Sequence, residues 1–290
     1  MKRAKIDLPA RRLRSRALFH AVADAIPCAH TPTAVARWWH SRSAFRGIDQ
    51  GDMWRRISRG ATPAGHSLNE LLNQLPEVRA VFDNPLWLAL SQSESDEQWD
   101  RLAQTICVGS GPLDGYGGWK SALLFSRVDW KCFAIHLILL RTRAPRFQLH
   151  RMWLRRNLSA IFALACTQRP LSSISYELYQ RLNQILDDSK RPWDWAQGWP
   201  ELSMRLKLTS EFSDQLRRVG WLPASDQHRA LSIWELSGDL LNELSVFPQA
   251  EAEITDYPIP PALRRRWRVI FKRFQKFPIS LSGSFIGLVD

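Results

Sequence analysis

The chain has 290 residues, 45% hydrophobic and 23% charged, which excludes a wholly disordered polymer and leaves room for one large domain or two modest ones. Its formal net charge is +12. The four cysteines, at positions 28, 107, 132 and 166, form no C-x-x-C pair, which argues against a disulfide framework and for a reducing, cytoplasmic setting.

The charge is segregated. Residues 1–16 carry seven basic groups and one acid, and 262–276 carry seven basic groups and none. Together these account for more than the whole net charge. A third segment, 131–169, holds eight basic residues and no acid, so the rest of the chain is acidic on balance. Segregated positive charge implies a polyanionic partner, most often nucleic acid, against the plainer reading of a solvated basic surface.

In chain order, apolar spacing and helix punctuation predict a helix over 9–26, with Pro9 in its first turn and Leu18, Phe19, Val22, Ala23 and Ile26 on one face. Further helices are predicted over 33–40, over 52–59 with Gly60 as its stop, and over 67–75 with Leu68, Leu71, Leu72 and Leu75 aligned. The segment 76–90 reads as a helical cap over the same core, on Phe82, Leu86, Trp87 and Leu90. Residues 91–98, SQSESDEQ, read as a linker and the best domain boundary.

Beyond it come a short helix over 99–108, a glycine-rich loop over 109–118 and one long apolar helix over 120–140. The apolar run 132–140 is too short to span a bilayer, and no apolar stretch follows the basic N-terminus as a secretory leader would require. Helices over 149–166, 172–187, 210–219, 229–247 and 262–276 complete the series, with a Pro- and Gly-rich break at 192–200. The segment 280–289 is a short strand or a tail, and no period-two strand longer than five residues is read. The expected fold is all-α, with a basic helical module over 1–90 and a larger helical domain over 99–290.

Chemical motifs are sparse. The glycine-rich loop fails as a phosphate cradle, because Trp119 separates Gly118 from Lys120 and Ser121 and no strand is read before it. Cys28, His30 and His40 lack a usual zinc spacing, and no hydrolase or metalloprotease signature occurs. No metal, no cofactor and no catalysis are therefore expected, although an active site assembled only in space stays open. The sharpest feature is 262–276, where Leu263, Trp267, Ile270, Phe271 and Phe274 form one stripe and Arg264, Arg265, Arg268 and Lys272 lie on the other sides. Such a helix suits phosphates, an anionic membrane surface or an acidic protein groove.

Residues 54–75, WRRISRGATPAGHSLNELLNQL, resemble the back half of a lambda-repressor-type helix-turn-helix domain, on Trp54, Ile57, Gly60, Pro63, Leu68, Leu71 and Leu75. The small-residue turn of that family is missing before Trp54. The resemblance implies that 54–59 ends a recognition helix, with Arg55, Arg56 and Arg59 near phosphate or bases. With Arg11, Arg12 and Arg16 from the first helix, and the four C-terminal cations, these are the candidate nucleic-acid contacts. The function expected is that of a non-catalytic basic helical protein that binds nucleic acid, DNA or RNA, or acts as a regulator. The alternative is a bacterial-type accessory protein of mobile elements or phage defence whose Trp segments hold a protein partner. An enzyme with an unmarked site is the third reading.

Overall fold

The structure is a computed structural model that describes residues 6–26, 28–42, 51–92, 96–109, 111–113, 115–126, 130–187, 206 and 286–288. It is predominantly α-helical, with eleven α-helices and one small sheet among the described residues. The chain forms two compact units. One comprises residues 1–99 and 169–194, the other 100–168 and 195–290.

The first unit is built around α1 (Leu8–Ala25). Asp7 starts it: its carboxylate accepts from the Ala10 amide at 2.9 Å, and Pro9 supplies a preset φ in the first turn. The predicted single apolar face proves too narrow. Ala10, Leu13, Ser15, Ala17 and Ala21 are buried as well as Leu18, Phe19, Val22 and Ala23, so α1 is covered on most sides. Its coat consists of α3 (Gly51–Ser58), α5 (Pro76–Phe82), α6 (Leu86–Ala89) and α11 (Ser175–Asp187). The alanines let these neighbours approach closely. α2 (Pro32–Arg42) packs on α3 through the edge-on rings of Trp39 and Trp54, 5.9 Å apart. α4 (Gly65–Gln74) lies against α5. Trp87 is fully buried, and its indole N–H donates to the Val81 carbonyl at 2.7 Å.

The division 1–90 and 99–290 therefore needs redrawing. The cut near residue 99 is present, but 169–187 returns to the first unit. Three ion pairs explain the return. Arg181, almost wholly buried, meets the Asp7 carboxylate and donates to the Leu90 carbonyl at 2.9 Å. Arg16 pairs with Glu177 at 2.6 Å, and Arg169 with Asp24 at 3.0 Å. The supposed linker is also tied down at its start: Ser91 is buried, its hydroxyl accepts from the Asp7 amide at 3.2 Å, and the Gln92 amide donates to Asp7 at 3.0 Å. At its other end 96–98 opens α7 (Asp96–Gln104).

In the second unit, the helix read over 99–108 stops at Gln104, and Ile106–Val108 form a strand, β1. It lies between Gly111–Pro112 (β2) and Ile286–Leu288 (β3), antiparallel to both. Ile106 and Val108 are buried and Cys107 is half-buried, the alternation a strand demands. Three residues are too few for a period-two signal, and one partner comes from the far end of the chain, so local pattern could not reveal it. Of the long helix read over 120–140, Trp119–Ser126 (α8) and Trp130–Arg141 (α9) are helical, and 127–129 lie outside the described residues. α10 (Gln148–Ala165) packs on α9, with the rings of Phe133 and Phe162 5.5 Å apart. One Asp100 oxygen accepts from the Thr142 hydroxyl and the Arg143 amide, each at 2.6 Å, and from the Ala144 amide at 3.2 Å, closing the end of α9. Burial pushes that carboxyl upward, but these bonds outweigh it and hold it below the usual range.

The core residues expected at Cys132, Ile135, Leu139, Phe162, Leu178 and Leu182 are all buried. Leu240 and Leu244 lie outside the described residues, as do the helices read over 210–219, 229–247 and 262–276.

Candidate nucleic-acid interface

The candidate interface is built from α1 and α3. α3 ends as its sequence prescribes. Gly60 adopts φ +102°, its amide donates to the Ile57 carbonyl at 2.9 Å, and the Ala61 amide donates to the Arg56 carbonyl at 2.8 Å. This pair of bonds is the Schellman closure, which needs a left-handed residue and so favours glycine. Gly60 has a second reason to be glycine. A Cβ there would lie 2.9 Å from the Cβ of Arg12 and 3.2 Å from its Cα. The end of α3 thus rests directly on the backbone of α1 at Arg12.

Arg55, Arg56 and Arg59 are exposed and, with Asp52, line a shallow open recess. Arg12 is exposed where Gly60, the residue after Arg59, meets α1, and Arg11 is exposed on the same helix. Asp52 offsets part of this charge through an ion pair with Arg55 at 3.3 Å. Both partners are largely in water, so the pair is weak and readily exchanged for another anion. Arg55 and Arg56 also stand in the last turn of α3, where the helix dipole favours cations without any ligand.

Arg16 belongs elsewhere. It is half-buried and held by Glu177 of α11, so α11 and not a ligand satisfies its charge. Nothing in the local sequence separates Arg16 from Arg12; the discriminating residue lies more than 150 positions away. Arg264, Arg265, Arg268 and Lys272 lie outside the described residues.

Other chemistry-bearing groups were not legible as sites. His150, in the first turn of α10, has its Nε2 2.9 Å from the Ser121 hydroxyl, a spacing that a nucleophile and its base would share. Both are buried, and burial pushes the imidazole down to about 4, far from the range of an effective base at neutral pH. The pair ties α8 to α10. His30 sits 3.3 Å from Asp24, and the Cys28 thiol donates to the Ala29 carbonyl at 3.4 Å. All four cysteines are free thiols, and burial raises Cys28 and Cys166. Among the described residues no three metal-ligating side chains gather, and no helix is long and apolar enough to cross a membrane. Tyr116 and Trp119 stand exposed at the end of the glycine-rich loop, a feature that reading the loop as a simple link passes over.

No protein-family model, no curated protein and no solved structure matches this chain.

Proposed function

We propose that the protein is a non-catalytic, helical nucleic-acid-binding protein of regulatory type, and that Arg12, Arg55, Arg56 and Arg59 form its phosphate-contacting face. The observation that carries this reading is the close approach of Gly60 to Arg12, which brings the residue after Arg59 against α1 at an exposed arginine. A polyanion gains affinity by meeting several cations at once and releasing its condensed counterions, so gathered arginines count for more than scattered ones. Arg11 extends the face along α1. The four C-terminal cations Arg264, Arg265, Arg268 and Lys272 provide a further nonspecific contribution. α3 takes the part of the recognition helix that the helix-turn-helix resemblance implies, which makes duplex DNA the first ligand to test.

The test is duplex binding by fluorescence anisotropy across a salt series. Replacing Arg12, Arg55 and Arg59 together with Gln removes three charges without adding anions to the end of α3. The slope of log K against log salt should become shallower by about 0.9 for each phosphate that is no longer neutralised. Arg16→Gln is the matched control, since its charge is taken by Glu177, and it should leave the slope unchanged. An unchanged slope in the triple variant, or an equal change in the control, refutes the assignment.

A further inference from the structure

The exposed apolar residues of the second unit are gathered in one place. Among its described residues the large hydrophobics left in water are Trp119 at 61% exposure, Leu149 at 53%, Met152 at 43% and Tyr116 at 42%. Direct interactions join Tyr116 and the start of α8, which Trp119 opens, to the start of α10. Ser121, in the first turn of α8, is hydrogen-bonded to His150, in the first turn of α10, at 2.9 Å. The Tyr116 ring stands edge-on to His150, centroids 5.4 Å apart. His150 is 5.7 Å from the Phe147 ring, and the Arg146 guanidinium lies over that ring at 4.6 Å. Leu149 and Met152 are i, i+3 neighbours on α10, followed by exposed Arg156 at i+7. The result is a surface of two aromatic rings beside a stripe that reads Arg146, Leu149, Met152, Arg156.

Trp119 is held in an unusual way for so exposed a side chain. Its six-membered ring lies across the backbone of Gly109, where an added Cβ would come within 2.8 Å. Gly109 has φ +67° and no side chain to lift the ring away. The indole is therefore seated on main chain while most of its surface stays open. The α10 stripe beside it carries no acid, since none occurs between Lys131 and Arg169; the acids nearest Trp119 in sequence are Asp114 and Asp129. Rings that are both fixed and open suit stacking of unpaired bases, and an acid-free arginine stripe beside them suits phosphates.

We propose that Trp119, Tyr116 and the start of α10 form a binding site for single-stranded nucleic acid. Unpaired bases stack on the Trp119 and Tyr116 rings, while Arg146 and Arg156 meet the phosphates of the same strand. The site shares no residue with the α1–α3 face and needs no base pairing. Every base presents a π-face, so it tolerates different sequences.

The experiment uses the full chain and a labelled oligo-dT probe, with an unlabelled duplex measured in parallel. Trp119→Ala should weaken oligo-dT binding about 5- to 150-fold, the range expected for losing one stacked base. Trp119→Phe keeps a π-face and should stay near the wild type. Trp119→Leu keeps apolar area without a π-face and should behave like the alanine variant. Gly109→Ala should lower affinity with Trp119 still present, because its Cβ displaces the ring. At such an exposed position the fold should survive, and far-UV circular dichroism checks it. Oligo-dT affinity within about twofold of wild type in Trp119→Ala overturns the proposal. So does full retention by Trp119→Leu, which would mark a plain apolar dock for a protein. Equal loss of oligo-dT and duplex overturns it too. Duplex binding that depends on Arg12, Arg55 and Arg59 without any Trp119 effect leaves the α1–α3 reading standing and removes this one. The reverse pattern does the opposite.

Discussion

Replacing Gly60 with alanine tests the joint on which the proposed interface depends. Two terms act against the substitution. An L-residue at φ +102° carries backbone strain of about 1–3 kcal/mol. The new Cβ would meet the Arg12 Cβ at 2.9 Å and its Cα at 3.2 Å, so α3 or α1 must shift. Arg12 Cα is main chain and cannot swing aside, and relief of such overpacking costs about 1 kcal/mol or more. Alanine restricts the unfolded chain and returns about 0.4–1 kcal/mol. The expected net loss is about 2–3 kcal/mol. Two other glycines separate the terms. Gly117 has φ +102° with open space around it, so Gly117→Ala should show the strain alone. Gly65 has neither feature and opens α4, so Gly65→Ala should be neutral or slightly stabilising. Urea unfolding followed by circular dichroism at 222 nm measures all three. The Gly60→Ala variant should also bind duplex DNA more weakly, because the shift parts Arg12 from Arg59. A loss below about 0.5 kcal/mol, the usual range of surface changes, refutes the joint.

Asp7→Ala should destabilise the first unit by about 3–5 kcal/mol, since it leaves buried Arg181 without its carboxylate; Asp7→Ser, which can still cap α1, should recover only a minor part in the same urea assay. Stability should also fall with acid above the range where carboxylates titrate. His150 is held near 4, first by burial and then by the Arg151 guanidinium, against an ordinary 6.5, and burial pushes His20 the same way. Above about 6.5 both folded and unfolded imidazoles are neutral; as pH falls from there toward 4 the unfolded chain takes up the proton first, so stability drops by up to about 1.4 kcal/mol per pH unit for His150. Unfolding midpoints in His150→Gln should show a flatter dependence over that window, and an unchanged slope would mean the imidazole titrates normally in the fold.

Much of the first unit was legible because its signals are local. Pro9 marks the start of α1, Gly60 stops α3, and the leucines of α4 repeat at helical spacing; each acts within a turn of its own position. Buried positions such as Ile135, Leu139, Phe162 and Leu178 follow from the same periodicity. The segregation of charge was equally plain, because it is a property of composition. The limits of periodicity show on α1 itself, where alanines count as weakly apolar but are buried by neighbours on several sides.

Linear pattern thus sets the class of element at most of the described positions, where several helices begin and end, and which segments carry the cations. Packing in three dimensions sets which cations are taken up by an ion pair and which stay exposed. Arg12 and Arg16 are one turn apart on the same helix, yet one meets Gly60 and the other Glu177, partners that lie far away in the chain. Packing also returns 169–187 to the first unit through Asp7 and Arg181, makes Ile106–Val108 strand, and lays Trp119 on Gly109 in the open. The reason is one of range. Helix periodicity and capping arise from interactions between residues three or four positions apart, which a linear reading contains. A salt bridge, a strand pairing or a seat for a ring joins residues whose separation along the chain carries no pattern, so only the packed chain reveals it.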